Sequence, residues 1–119
     1  MLSKKMRNIR YALRGIKIAW QEELSFKLQL GAMIVVLALS WLFAISPLEW
    51  IVVVFMIGFV LATEAYNTAL EQLCDKLKVD PDPHIAKIKD LAAAAVLIAS
   101  VTALIVGAII FIPHLLSFT

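Results

Sequence analysis

The chain has 119 residues, 62% of them hydrophobic, with a mean hydropathy of +0.91 and a formal net charge of +2. A soluble domain is about half apolar, and one this small has too much surface for its volume to hide the excess, which argues against a water-soluble globule. The single cysteine, Cys74, excludes an intrachain disulfide and a thiolate metal cluster, and reads as a small apolar filler at a helix end.

The first element, over residues 1–27, is basic and amphipathic. Met6, Ile9, Leu13, Ile16 and Trp20 fall on one arc of a helical wheel, with Arg7, Arg10, Arg14 and Lys17 opposite. The pattern predicts a helix lying on the inner leaflet of a membrane. Tyr11 sits on its basic arc, and Gly15 reads as clearance for another helix or a ligand. No short apolar segment with a small-residue cleavage site follows, so no cleavable signal peptide is expected.

Three apolar stretches come next: Leu28 to Ile45, Leu48 to Ala62, and Leu91 to Ile112. The first and third are near the length a helix needs to cross hydrocarbon about 30 Å thick. The second reaches it only by continuing through Glu64. Spans are therefore predicted at 28–45, 48–74 and 84–112, giving one all-α membrane domain with a surface helix and three transmembrane helices. Pro81 and Pro83 end the second span, and the third restarts near His84 or Ile85. Along it Ala95, Ala99, Ala103 and Gly107 recur every four residues, a row expected to pack closely on a neighbour and to serve as an oligomer contact. There is no internal repeat and no GxxxxGK(S/T) loop, so a nucleotide would be held by helices alone.

Basic residues are partitioned. Lys4, Lys5, Arg7, Arg10, Arg14, Lys17 and Lys27 precede the first span, and Lys76, Lys78, Lys87 and Lys89 lie between the second and third. The Ser46-Pro47-Leu48-Glu49 connection has none, nor does the tail after Ile112. The positive-inside rule then places the N-terminus in the cytoplasm and the C-terminus outside, with Trp41 and Trp50 flanking the outer turn. The polar ends of the last two helices face the compartment that holds ATP.

The second span carries the chemistry. At about 100° per residue, Glu64, Asn67 and Glu71 stay within roughly 60° of one another, and Asp75 joins the same stripe. From Trp50, Glu64 lies about 21 Å along the helix, in the span or at its inner edge. A carboxylate kept at that depth is a functional residue by default. Glu71 and Asp75 also fit solvated helix-end residues paired with Lys76 or Lys78. Glu22, Glu23, Lys87, Lys89 and Asp90 fall near the same interface. Carboxylate oxygens with water and phosphate are what Mg²⁺ accepts, and lysines supply point charges for phosphate. The set suits phosphoryl transfer to a lipid alcohol. Two other classes compete: a small membrane scaffold that only holds partners, and an ion or proton channel subunit using Glu64. Neither needs separate phosphate-binding lysines. No nucleic-acid partner is expected.

The run Glu64-Ala65-Tyr66-Asn67-Thr68-Ala69-Leu70-Glu71 resembles the E-x-x-N-(S/T)-A-(I/L)-E signature of the bacterial integral-membrane diacylglycerol and undecaprenol kinases. Gly15, Trp20 and Glu23 upstream and Asp75 and Lys89-Asp90-Leu91-Ala92-Ala93-Ala94-Ala95-Val96 downstream match in order, over essentially the whole chain. The resemblance implies an inner-membrane homotrimer with active sites shared at subunit boundaries on the cytoplasmic side. It implies an ATP- and Mg²⁺-dependent kinase converting diacylglycerol to phosphatidic acid, with undecaprenol as the alternative lipid. By position, Glu64 matches the general base and Asn67 the polar residue orienting the reacting groups. Glu23 and Glu71 match the metal carboxylates, which also meet the nucleotide. Lys4, Tyr11, Gly15, Lys89 and Asp90 match the nucleotide side, and Arg14, Trp20, Gln29, Glu64 and Ala93 the lipid side. Lys4 stands where an arginine is common. Asp82 replaces a histidine on the adenine side, with His84 two residues later. Gln29 stands where Glu or His is frequent, and Ala93 where some members have serine. The Ala92 to Ala95 run looks more like the undecaprenol branch.

Overall fold

The computed structural model describes residues 2–77 and 82–117, which form four helices: α1 (Leu2–Glu22), α2 (Leu24–Leu42), α3 (Pro47–Leu77) and α4 (Pro83–Ser117). Lys78 and Pro81 lie outside the described residues. The last three helices are each long and apolar enough to cross a membrane. Large hydrophobic side chains such as Leu97, Ile98, Leu104 and Ile109 are exposed along them, the reverse of a soluble fold. The helices overrun the apolar stretches because backbone groups are best satisfied in helix, so α3 continues through Glu64, Glu71 and Asp75.

One residue separates α1 from α2. Glu23 is extended (φ −115°, ψ 110°) and its carboxylate makes no capping hydrogen bond. Its backbone still joins both helices, donating to Ala19 O (3.0 Å) and accepting from Lys27 N (3.3 Å). α2 therefore starts ahead of the apolar stretch. It ends in a two-bond αL cap: Ala44 N donates to Trp41 O (3.1 Å) and Ile45 N to Ser40 O (3.2 Å), with Ala44 at φ 49°.

α3 begins on a reciprocal cap. Glu49 N donates to Ser46 Oγ (3.1 Å) and Ser46 N to Glu49 Oε1 (3.0 Å), with Pro47 in the first helical position. His114 Nε2 lies 3.2 Å from the same Glu49 oxygen, and its ring stacks on Phe43. Ile45, Val53 and Ile110 form the core at this end, with Trp50 packed against them, whereas Trp41 is 80% exposed. α4 starts at Pro83, not at His84 or Ile85, because Asp82 Oδ1 accepts from His84 N (2.9 Å) and proline suits the first turn.

α3 packs chiefly on α4 and less on α2. The small-residue row is used within the chain. Ala99 has no exposed surface, and Ala103 and Gly107 line a groove shared with α3. Only Ala95 of the row is exposed. The expected contact between subunits through Ala99 is thus corrected: its face is already covered by this chain.

An alanine in the left-handed region is strained by roughly 1–2 kcal/mol, partly offset in glycine by a freer unfolded chain. Ala44→Gly is therefore expected to stabilise the protein by about 0.5–1 kcal/mol. The check is the thermal unfolding midpoint in detergent, which should rise in Ala44→Gly and fall in Ala44→Val.

Candidate active site

Two polar side chains are buried among the described residues, Ser40 and Glu64. Ser40 is satisfied on its own helix by Val36 O (2.8 Å). Glu64 cannot be. Its carboxylate is 7% exposed on the stripe of α3 that also buries Val53, Val60 and Cys74. Its partner comes from α2: Ser25 Oγ donates to Glu64 Oε1 at 2.5 Å. Ser25 was not singled out from the sequence. The only signal was a hydroxyl at the head of an apolar stretch, two residues after Glu23.

The rest of the stripe grades toward solvent. Asn67 is half-buried; its Nδ2 donates to Glu71 Oε1 at 3.1 Å, while Oδ1 is buried without a hydrogen bond. Glu71 and Asp75 are exposed. Asp75 Oδ1 on α3 takes Lys89 Nζ from α4 at 2.6 Å. Asp75 stands about 16 Å along the helix from Glu64. Among the described residues the partner of Asp75 is Lys89 and not Lys76; Lys78 lies outside them.

α1 closes over a groove of about 330 Å³ against α3, lined by Gly15, Glu22 and Glu23 on one side and Thr68 and Gln72 on the other. A Cβ at Gly15 would meet nothing within 4 Å, so the glycine leaves room in the groove and not for a helix. Gln72 Nε2 also reaches Glu22 Oε2 at 3.4 Å. Tyr11 is 57% exposed, with the Arg14 guanidinium 5.8 Å from its ring centre. Lys4 and Asp90 are exposed. Of the residues expected on the nucleotide side, the groove unites Gly15 and Glu23; Glu71, Lys89 and Asp90 lie outside it.

Of the residues expected on the lipid side, Gln29 lines an apolar groove of about 470 Å³ between α2, α3 and α4, with Met33, Met56 and Val60. Ala93 is exposed and outside it. Trp20 carries Lys27 Nζ 5.3 Å from its ring centre. A single chain does not bring Arg14, Trp20, Gln29, Glu64 and Ala93 into one pocket. Nor, among the described residues, does it gather three His, Cys, Asp or Glu side chains able to hold a metal. Glu23, free of capping duty, and Glu71, beside the unpartnered Asn67 Oδ1, nevertheless offer only oxygen donors. That suits an ion which takes one or two carboxylates and completes its shell with phosphate and water.

Residues 10–111 match the family model described as prokaryotic diacylglycerol kinase. The chain belongs to that family. Its members are lipid kinases, and so is this membrane protein of bacterial type. It is 32% identical to an undecaprenol kinase of Bacillus subtilis over 114 residues, covering 96% of this chain and 93% of that one. A diacylglycerol kinase of Synechocystis is 35% identical over 92% of this chain and 63% of its own length. The Escherichia coli K12 diacylglycerol kinase is 24% identical over 87% of this chain and 85% of its own. Within this kinase the matched segment includes every polar residue of the α3 stripe.

Lys89 and Asp75 side chains are 40% and 67% exposed, and exposed pairs of this kind contribute little to stability. Asp75→Asn is expected to leave the unfolding midpoint in detergent nearly unchanged. A larger fall would make the pair a structural tie between α3 and α4.

Proposed function

We propose that this kinase transfers the γ-phosphate of ATP, with Mg²⁺, to the hydroxyl of a membrane lipid, converting diacylglycerol to phosphatidic acid. The observation that carries the reading is the buried Glu64 carboxylate, which already accepts a hydrogen bond from an aliphatic hydroxyl. A lipid alcohol offers the same donor. Glu64 acts as general base: it takes the hydroxyl proton as the lipid oxygen bonds to the γ-phosphorus and the bond to the β-phosphate oxygen breaks, releasing ADP. Asn67 orients the reacting groups through its unpartnered Oδ1 while its amide holds Glu71.

Glu23 and Glu71 are the residues that would hold Mg²⁺, which when bound neutralises phosphate charge. Lys4, Tyr11, Gly15, Lys89 and Asp90 serve the nucleotide, and Arg14, Trp20, Gln29 and Ala93 the lipid. The lysine and arginine partition supports a cytoplasmic N-terminus, an outer C-terminus and α1 lying amphipathically on the inner leaflet. A homotrimer with shared sites is supported by what one chain leaves undone: Glu71, Asp90 and Ala93 are exposed, and no three-ligand metal set forms among the described residues.

One specific observation favours a second lipid. The undecaprenol kinase of Bacillus subtilis matches 96% of this chain, and the Ala92 to Ala95 run has that branch's character. The deciding assay is purified protein in mixed micelles with radiolabelled ATP, Mg²⁺ and either diacylglycerol or a polyprenol.

In that assay Glu64→Gln is expected to lose about 10²–10⁴-fold in rate with unchanged expression and particle size. The amide still accepts from Ser25 but cannot take the lipid proton. Retention of more than a tenth of the rate would remove Glu64 as the base.

Glu23→Gln and Glu71→Gln should each raise the Mg²⁺ requirement, with partial recovery at high metal, because each deletes one hard anionic ligand. An unchanged Mg²⁺ titration would take that residue out of the metal shell.

A further inference from the structure

Ser25 stands in the first turn of α2, and its hydrogen bond to Glu64 spans 39 positions in sequence. Glu64 forms no ion pair among the described residues. The serine hydroxyl is the polar contact that fixes this carboxylate. A glutamate has three side-chain torsions, and a base displaced by about 1 Å can lose on the order of 10²-fold in rate. A serine donor is short, has one side-chain torsion before its oxygen, and is held by helical backbone on a second helix. It is a stiff tether where a lysine would be a loose one.

We infer that Ser25 is a positioning residue for phosphoryl transfer: its hydroxyl clamps Glu64 Oε1 and so presents Oε2 to the lipid alcohol. The inference rests on the reading of Glu64 as general base. A carboxylate has two oxygens and about four acceptor directions, so one bound serine leaves capacity for the substrate hydroxyl. Ser25 also follows the extended Glu23 by two residues. One turn of chain therefore sets both a metal-side carboxylate and the tether of the base, so both move with the start of α2.

A hydroxyl in this place could instead block the base by occupying the acceptor position of the lipid. The two roles predict opposite signs. A clamp makes Ser25→Ala slower; a blocker makes it faster.

The experiment is steady-state kinetics of Ser25→Ala, Ser25→Cys and Ser25→Thr in mixed micelles, titrating ATP at saturating lipid and then the reverse. A hydrogen bond to a charged group is worth about tenfold to a hundredfold. Ser25→Ala should lose about that much in kcat with the KM for ATP unchanged. Ser25→Cys, similar in volume but a weak donor, should also be slow, which separates the lost bond from a folding defect. Ser25→Thr, which restores the hydroxyl, should recover most of the rate. A merely structural contact would lower the unfolding midpoint and leave kcat per folded enzyme untouched. Wild-type or faster turnover in Ser25→Ala or Ser25→Cys overturns the clamp, as does failure of folded Ser25→Thr to recover. If Glu64→Gln is inactive while Ser25→Ala is normal, the clamp fails and the base stands. If Glu64→Gln is active, the base reading itself has failed.

Discussion

A carboxylate buried between membrane helices must be given a donor, and that requirement organises this protein. Desolvating an ionised group costs several kcal/mol unless hydrogen bonds replace its water. Glu64 meets the requirement through α2, not through its own helix. The start of α2 is therefore held against the middle of α3, and the chain breaks at Glu23 to let α1 leave in another direction. The groove under α1, with Gly15 and Glu23 on one wall, follows from that break. At the opposite end of the bundle polar groups are treated differently. Ser46 and Glu49 satisfy each other within one turn, and His114 and Phe43 close over them. One end is self-contained, while the other leaves Asn67 Oδ1 without a partner. An unfinished hydrogen-bond inventory is expected where substrates complete it.

Much of this was legible in the sequence, for identifiable reasons. Helices long enough to cross a membrane announce themselves through continuous apolar runs, and Glu64 stands out because it interrupts one. The α3 stripe follows from helix geometry alone. Capping at Asp82 was written in an Asp-Pro pair, yet hydropathy drew the start of α4 too late because the first turn is polar. Ser25 was hidden for a different reason. A serine near the start of an apolar run can cap, bond backwards as Ser40 does, or reach another helix. Choosing among these requires the relative rotation of α2 and α3, which no single helix encodes. The alanine row was recognised as a packing face, but a row of small residues does not say whose helix it receives. Here the same chain covers Ala99. The division of Arg14, Gln29 and Ala93 among separate surfaces is likewise a tertiary fact, invisible to motif order.

The unequal lengths of the helices bear on how this kinase meets membranes of different thickness. α2 has 19 residues and rises about 28 Å, close to the hydrocarbon thickness. α3 has 31 and rises about 46 Å, well beyond it. A thicker bilayer is still spanned by α3, with its polar turns beyond Ala62 drawn toward the hydrocarbon. α2 has no length to spare, so it stands upright and draws the bilayer thinner around itself. Its first turn is where Ser25 meets Glu64, so mismatch is felt first at that contact. A short helix beside a long one makes the depth of the buried Glu64 carboxylate depend on the membrane around it.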